Sequence, residues 1–544
     1  MAELQGFMEG AVNTGQASAD QLEAESFLFL EAVPPMSDSK RSITIVGGGL
    51  AGMVAALRLL QQGCDVALYD ADTRLGGKAG AKSNGAGRED HGYHIFPLWY
   101  VNIWALVEEL GIRSHFIDRT DFVQLKPKEF PRTTVLTNIS SPRYAWRNLT
   151  SGVLPFVEMA LLYYFGIDLM ATPLSEKAFL DQITVNGFIR SRFYRTEALA
   201  EQCQDLILKG ISTPSYVASA MTMRTVLQNW AKYPEPMCRV LNNNLQTAWI
   251  EPLAERLHSL GCKIHLEHRL ERLQIEAGSI RQLVFRCGTD GRTIDLEVDT
   301  LLLALPPERV CVIVDPELYA AAPAMTSLLN LISRPMAALN IYLKRPIHGL
   351  PAAHVNLIDS QFGLSFIDVS QIWPELTATA LNVIASDYSD LATLPPELGQ
   401  RQVLDDLRRF LPDLDDSNIE RMEFQPHTEA PLLTNEVGMW SSRPEAKTAV
   451  PNLFLAGDYC RTHIDLVCME GAVSSGLLAA EAIRIHLGLP GTVTVRVPAV
   501  HPRWMWSIAK WLLLPFAAVA TLLLKFRPPS PKRPPKSSSE RRMV

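Results

Sequence analysis

Between Ile43 and Asp70 the order of hydrophobic and polar positions predicts a strand, a glycine turn, a helix and a second strand. Ile43 to Val46 is a short apolar run rich in β-branched residues, as a buried parallel strand requires. Val66 to Tyr69 repeats that pattern. Residues from about Phe116 to Met237 carry apolar, mostly helical patterns, with Asp181 to Phe193 as a helix start. Ser151 to Met170 is apolar apart from Glu158 and Asp168, which points to core or a substrate tunnel at least as much as to lipid. Trp249 to Glu276 reads as helix, Gly261, strand. Strands are expected at Lys263–Ile275, Gln282–Cys287, Ile294–Val298 and Thr300–Leu305, and again from Met336 to about Ser386. Leu453 to Ala456 predicts a strand that ends in Gly457 and Asp458, and a small-residue helix starts near Met469. The last apolar run, Trp511 to Leu524, has 14 residues. That is short of the ~20 needed to cross a bilayer. Extending it back to Trp504 gives 21 residues and includes Lys510.

The first turn carries chemistry. Gly47, Gly49 and Gly52 form G-x-G-x-x-G between strand and helix, with Leu50 and Ala51 opening the helix. In that setting the glycines allow a tight turn, a close approach to a pyrophosphate and close helix–sheet packing. The helix start turns N–H groups and the positive dipole end toward the anion. Asp70 lies 18 residues after Gly52, where a carboxylate accepts hydrogen bonds from an adenosine ribose. Arg74, Gly76, Gly77 and Lys78 then make a second short glycine turn, suited to another contact with phosphate or with a flavin.

From Val46 to Ala79 the chain resembles the amino-terminal signature of the flavin-containing amine oxidase and carotenoid desaturase superfamily, whose members bind FAD. Pro451 to Glu481 resembles that superfamily's closing motif. The resemblance implies that Gly457, Asp458, Met469, Glu470, Gly471 and Ala472 contact the cofactor, with the helix start against the flavin. Glu470 also suits a helix start on dipole grounds alone. Met469-Glu470-Gly471-Ala472, the Arg443–Tyr459 segment and the Glu89–Ile112 segment resemble phytoene and ζ-carotene desaturases and hydroxysqualene dehydroxylases. Trp249 to Glu276 resembles the segment whose backbone, near Leu270, meets the adenine. The Asn242-Asn243-Asn244 lead into it departs from the glycine-rich lead usual in the family.

The expected fold is α/β: a Rossmann-like FAD-binding domain of amine oxidase type, an inserted α+β substrate domain and a C-terminal apolar helix. A chain of 544 residues is too long for one core. The FAD domain is expected at 40–115, 241–335 and 431–490, and the substrate domain at 116–240 and 336–430. Residues 1–39 hold seven acids and no Lys or Arg, which accounts for the net charge of −7 and excludes a transit peptide. Within them Glu23 to Val33 is apolar enough for a short helix. Eight scattered cysteines form no metal or redox motif and read as reduced thiols of a cytosolic protein. Residues 527–544 are basic and proline-rich, as suits an anionic cytoplasmic surface. Flanked by that tail and by Trp504, Trp506 and Trp511, residues 503–526 read as a monotopic or tail-anchored membrane helix, with a helix packed on the enzyme as the alternative. A chain ending near Pro498 is expected to keep its fold and its FAD.

These features predict an FAD-dependent oxidoreductase that desaturates or dehydrogenates a long apolar isoprenoid at the cytoplasmic face of a membrane. A quinone is the electron acceptor the resemblance implies, and no nucleic-acid partner or metal is expected. A non-redox isomerase or cyclase and an isoprenoid-binding protein without turnover stand as alternatives. His94, His463 and Asp465 are the acid–base candidates, because the resemblance puts their segments near the flavin.

Overall fold

The computed structural model describes residues 41–83, 88–288, 290–428 and 431–526. The acidic extension, with its expected short helix, and the basic tail beyond Phe526 lie outside the described residues.

The strand–turn–helix–strand unit forms as its pattern requires. β1 (Ser42–Val46) leads through the glycine turn into α1 (Leu50–Gln61) and returns as β2 (Asp65–Tyr69), parallel to β1. Three distant segments complete the sheet: β3 (Lys263–His265), β4 (Leu301–Leu303) and β5 (Leu453–Leu455). The order is β5-β4-β1-β2-β3, all parallel. β4 and β5 are buried throughout, which is why each reads as an unbroken apolar run.

The strand expected at Lys263–Ile275 is two strands. Glu267 takes φ +58° and turns the chain out of the parallel sheet. His268–Glu276 then pairs with Ser279–Cys287, and that with Arg292–Glu297, in a separate antiparallel sheet. A second large sheet has seven strands, in the order 419–426, 337–343, 380–385, 364–368, 354–357, 122–125, 134–136. Residues 122–136 thus pair with chain more than two hundred residues later, and the sheet draws on both sides of the β3–β4 region.

Helices cover the space between. α2 (Val101–Leu110) packs on the parallel sheet's helical layer. α3 (Phe156–Ala171), Glu197–Ile211 and Ala220–Lys232 share one hydrophobic cluster. The acids that interrupt the α3 pattern are buried and paired: Glu158 accepts from Thr196 Oγ1 (2.6 Å), and Asp168 from Tyr194 OH (2.7 Å). α3 is therefore core.

α4 (Met469–His486) crosses α1 so closely that a Cβ at Gly476 would lie 2.3 Å from the Ala51 carbonyl oxygen. α5 (Arg503–Lys525) is a single 23-residue helix laid along α3. Lys510, the charge inside its apolar pattern, reaches Asp168 of α3 at 2.7 Å, and Arg192 pairs with the same acid at 3.0 Å. Trp506 and Ala517 are buried in the shared cluster, while Trp504, Trp511, Leu512, Phe516 and Leu523 point outward. The helix is neither wholly buried nor free of the enzyme.

Candidate functional site

The C-terminal ends of β1, β2, β4 and β5 open on one cavity of about 760 Å³. This is where an open parallel sheet places its ligands. The cavity continues past the sheet to residues of the helical layer and the seven-stranded sheet, among them Ile211, Val226, Trp230, His354 and Ile384.

The glycine turn separates two kinds of constraint. A Cβ at Gly47 would lie 2.3 Å from Ala304 O, and one at Gly52 would lie 1.9 Å from Gly47 O. Those two glycines serve the packing of loop, helix and strand. At Gly49 a Cβ would meet nothing closer than 4.0 Å, and Gly49 lines the cavity with Leu50 and Ala51. Space is kept there for something that is not protein. The α1 start has no side-chain cap and no acid in its first turn, which leaves it open to an anion. Both features fit a dinucleotide pyrophosphate.

Asp70 closes the loop from below. Its Oδ2 accepts from Gly48 N (2.6 Å) and its Oδ1 from Asp72 N (2.8 Å). Burial raises its pKa, against the pull of these N–H bonds. Gly76 and Gly77 take φ +121° and +54°, and Gly76 bridges to Gly49, so the second glycine turn lies directly against the first. Lys78 lines the cavity and pairs with Glu308 (3.1 Å). Arg74 is half-buried and is not among the lining residues. Leu270 lines the cavity at a register shift in its strand, beside His268 and Arg269. The departure at Asn242–Asn244 has a local purpose, since Asn244 Oδ1 accepts from Thr247 N (2.9 Å) and caps the following helix.

The closing motif divides in two. Gly457, Asp458, Met469 and Ala472 line the cavity. Arg443, fully buried, fixes this loop by donating to the carbonyl oxygens of Asp458 (2.8 Å) and Cys460 (3.5 Å). Burial raises the Asp458 pKa, with Lys78 and Arg443 acting against it. Gly471 is set back, because a Cβ there would lie 2.3 Å from Leu466 O.

Glu470 also faces away from the cavity. It accepts from the backbone N–H groups of Asn102 (2.9 Å) and Ile103 (2.9 Å) and from Asn102 Nδ2 (2.8 Å). Its carboxylate therefore caps α2 across the interface rather than meeting a ligand, and burial pushes its pKa up to about 7.

Of the acid–base candidates only His94 faces the cavity. Its Nδ1 lies 3.0 Å from Gly92 O. A carbonyl only accepts, so Nδ1 carries the proton and Nε2 keeps its lone pair. Burial is the main cause that lowers its pKa to about 4, with His427 adding to it, so the ring is neutral. His91 lies beside it with ring centroids 4.7 Å apart. His463 is exposed and outside the lining. Asp465 is buried in an ion pair with Lys177 and accepts from Trp440 Nε1 (2.8 Å). Both expectations are corrected on these grounds: one side chain faces solvent, and the other is consumed by its partners.

Sequence reasoning missed the Ala304-Leu305-Pro306 turn after β4 and Lys209 on the Glu197–Ile211 helix, which line the same cavity. The strand before Ala304 was legible, and its end is a ligand-facing position in any parallel sheet. Nothing local marks Lys209.

The profile of the family described as flavin containing amine oxidoreductase matches residues 50–484. Among curated relatives, the ζ-carotene desaturase of Synechocystis is 24% identical over 495 residues, covering 81% of this chain and 96% of its own. The 15-cis-phytoene desaturase of Narcissus pseudonarcissus is 24% identical, covering 88% and 84%. Cyclohexylamine oxidase from Brevibacterium oxydans shares the fold, with TM-score 0.60 at 17% identity over 83% of this chain and all of that one.

Proposed function

The chain belongs to the flavin-containing amine oxidoreductase family, and from that premise we propose that it is a carotenoid desaturase-like enzyme acting on a long apolar isoprenoid. The observation that carries this reading is the single cavity running from the glycine turns to an apolar region framed by Ile211, Val226, Trp230 and Ile384. FAD, when bound, supplies a two-electron acceptor for a hydride. Gly49, the α1 start and Asp70 would hold its pyrophosphate and ribose end, and Leu270 would meet the adenine. Gly76, Gly77 and Lys78 would hold the cofactor as well, and Gly457, Asp458, Met469 and Ala472 would hold its flavin end.

The residues of this chain then do three things. They shut water out of the reaction space with Trp99, Tyr100 and Trp230. They hold the chain in one register between the glycine turns and the seven-stranded sheet. His94 offers a neutral Nε2 to the proton that leaves the carbon next to the oxidised one. His94 is the acid–base residue of this proposal.

The substrate reaches the cavity from a membrane, on which α5 docks the enzyme. α5 is long and apolar enough by composition to cross a bilayer. Its attachment to α3 through Lys510 and Trp506 favours a helix lying in the interface over one that spans. A membrane quinone takes the electrons in this reading.

Anaerobic mixing of the purified flavoprotein with phytoene or ζ-carotene in detergent tests it. The expected result is bleaching of the flavin band together with a product that has one more double bond. Turnover seen only after chemical reduction of the flavin, with no net oxidation, favours the non-redox alternative. Bound polyene without any product favours the binding protein.

A further inference from the structure

A second cavity of about 60 Å³ adjoins the first. Ile95, Ile211, Val226 and Trp230 line both and form the neck between them. Gly49, Gly76 and Gly77 line only the first. The order along this space is therefore glycine turns, neck, second cavity.

A single helix carries the wall across the neck. Met223, Val226, Leu227 and Trp230 of Ala220–Lys232 follow i, i+3, i+4, i+7 spacing and share one face. Val226 and Trp230 stand at the neck, while Met223 and Leu227 line the second cavity alone. The Trp230 ring is fixed in place: its Nε1 donates to Met237 O (3.1 Å), and it packs edge to face on Trp99 at 6.0 Å. Leu136 and Ile207 complete the far wall and belong to the same hydrophobic cluster as Met223 and Leu227. Lys209, also at the neck, spends its ammonium on Leu357 O (2.9 Å) and Asp205 (3.4 Å), which leaves its hydrocarbon stem to the wall.

The second cavity is thus a gap within a packed apolar cluster, and unfilled space of that kind costs stability. Its size selects what fills it. An apolar cavity of about 150 Å³ takes one benzene, so 60 Å³ takes about two or three carbons. That is the scale of a branched dimethyl chain end, and it is too small for a ring or a second chain. We infer that the second cavity seats the branched terminus of the isoprenoid chain, with Met223 and Leu227 as the residues that set which chain length fits. The inference rests on the isoprenoid reading above and deepens it. A seated end fixes how many carbons lie between the terminus and the flavin end of the first cavity. A chain one isoprene unit shorter leaves the second cavity empty when its reacting carbons are in place. Filling the cavity with protein should therefore penalise the longer chain and spare the shorter one.

Phytoene and diapophytoene are the probes, since they share a central triene and the second is one isoprene unit shorter at each end. Each is equilibrated with the detergent-solubilised full-length flavoprotein, its flavin chemically reduced under anaerobic conditions so that no desaturation occurs. Hydrocarbon retained by the protein on gel filtration is extracted and measured over a concentration series. Wild type is expected to hold phytoene about tenfold more tightly, the scale of about two buried carbons. Leu227→Trp and Met223→Phe are each expected to weaken phytoene by about tenfold and to change diapophytoene by about twofold or less. Flavin content and melting temperature show which variants have folded. Equal retention of the two hydrocarbons by wild type overturns the inference without recourse to any variant. So does a folded variant that leaves phytoene binding unchanged or weakens both hydrocarbons alike, and in each of these cases the isoprenoid reading stands. Retention of neither hydrocarbon by wild type removes that reading and the inference with it.

Discussion

A side chain added at Gly52 would collide with the protein's own backbone, while one added at Gly49 would enter the cavity. Gly49→Val is therefore expected to leave a folded protein with native circular dichroism and no flavin absorbance. Gly52→Val is expected to lose the fold. A yellow Gly49→Val protein would overturn the placement of the pyrophosphate. Asp70 serves two purposes at once, because it ties Gly48 to the end of β2 as well as facing the cavity. Asp70→Ala is expected to weaken FAD by about 1.5–3 kcal/mol, the scale of a hydrogen bond to a charged group. An unchanged dissociation constant, measured by flavin fluorescence on reconstitution, would place this acid elsewhere. The position of these two residues at the cavity was legible in the sequence because both lie within one βαβ unit, where spacing along the chain fixes position in space. That of Asp465 was not, since its partners Lys177 and Trp440 come from other segments of the chain, and nothing in the local pattern shows that His463 faces solvent.

At the scale of elements, the partners that decide a role are long-range. Glu470 looks like a cofactor residue in sequence because it opens α4, yet its three bonds run to α2. Its pH behaviour follows. The folded pKa, about 7, lies above the ordinary 4.5, so the folded state binds more protons than the unfolded state between those values. Stability from this group is then highest at low pH and falls as pH rises from about 4.5 to 7. Glu470→Gln keeps one acceptor oxygen and cannot titrate. The gap in melting temperature between wild type and this variant is expected to narrow from pH 5 to pH 8, and a gap that widens would refute the sign. The Lys510–Asp168 pair shows the same lesson. Each charge is a flaw in its own apolar pattern, and each is explained by the other. Because Arg192 remains beside Asp168 and Lys510 is partly exposed, Lys510→Met is expected to cost only about 1 kcal/mol, read by chemical denaturation.

At the scale of the whole molecule, α5 joins the fold to the proposed membrane. Its inner face shares a core with α3, so a chain cut near Pro498 would bare that core, and loss of activity there would not separate docking from folding. Its outer face offers a cleaner test. Trp511 and Phe516 are 68% and 72% exposed and contribute nothing to the buried cluster. Trp146 and Phe156 are exposed as well, edge to face at 6.4 Å. Burying one large apolar side chain is worth about 1.5–3 kcal/mol, so two lost from a lipid contact weaken partitioning by about a hundredfold or more. The double substitution Trp511→Ser with Phe516→Ser is expected to keep its melting temperature and its flavin. It is expected to leave vesicles of phosphatidylglycerol and phosphatidylcholine in a flotation assay, and to turn over detergent-dispersed substrate but not substrate held in those vesicles. Retained flotation would move the docking surface away from α5. A drop in melting temperature would mean that the outer face is covered by protein, and the membrane reading of this helix would fall.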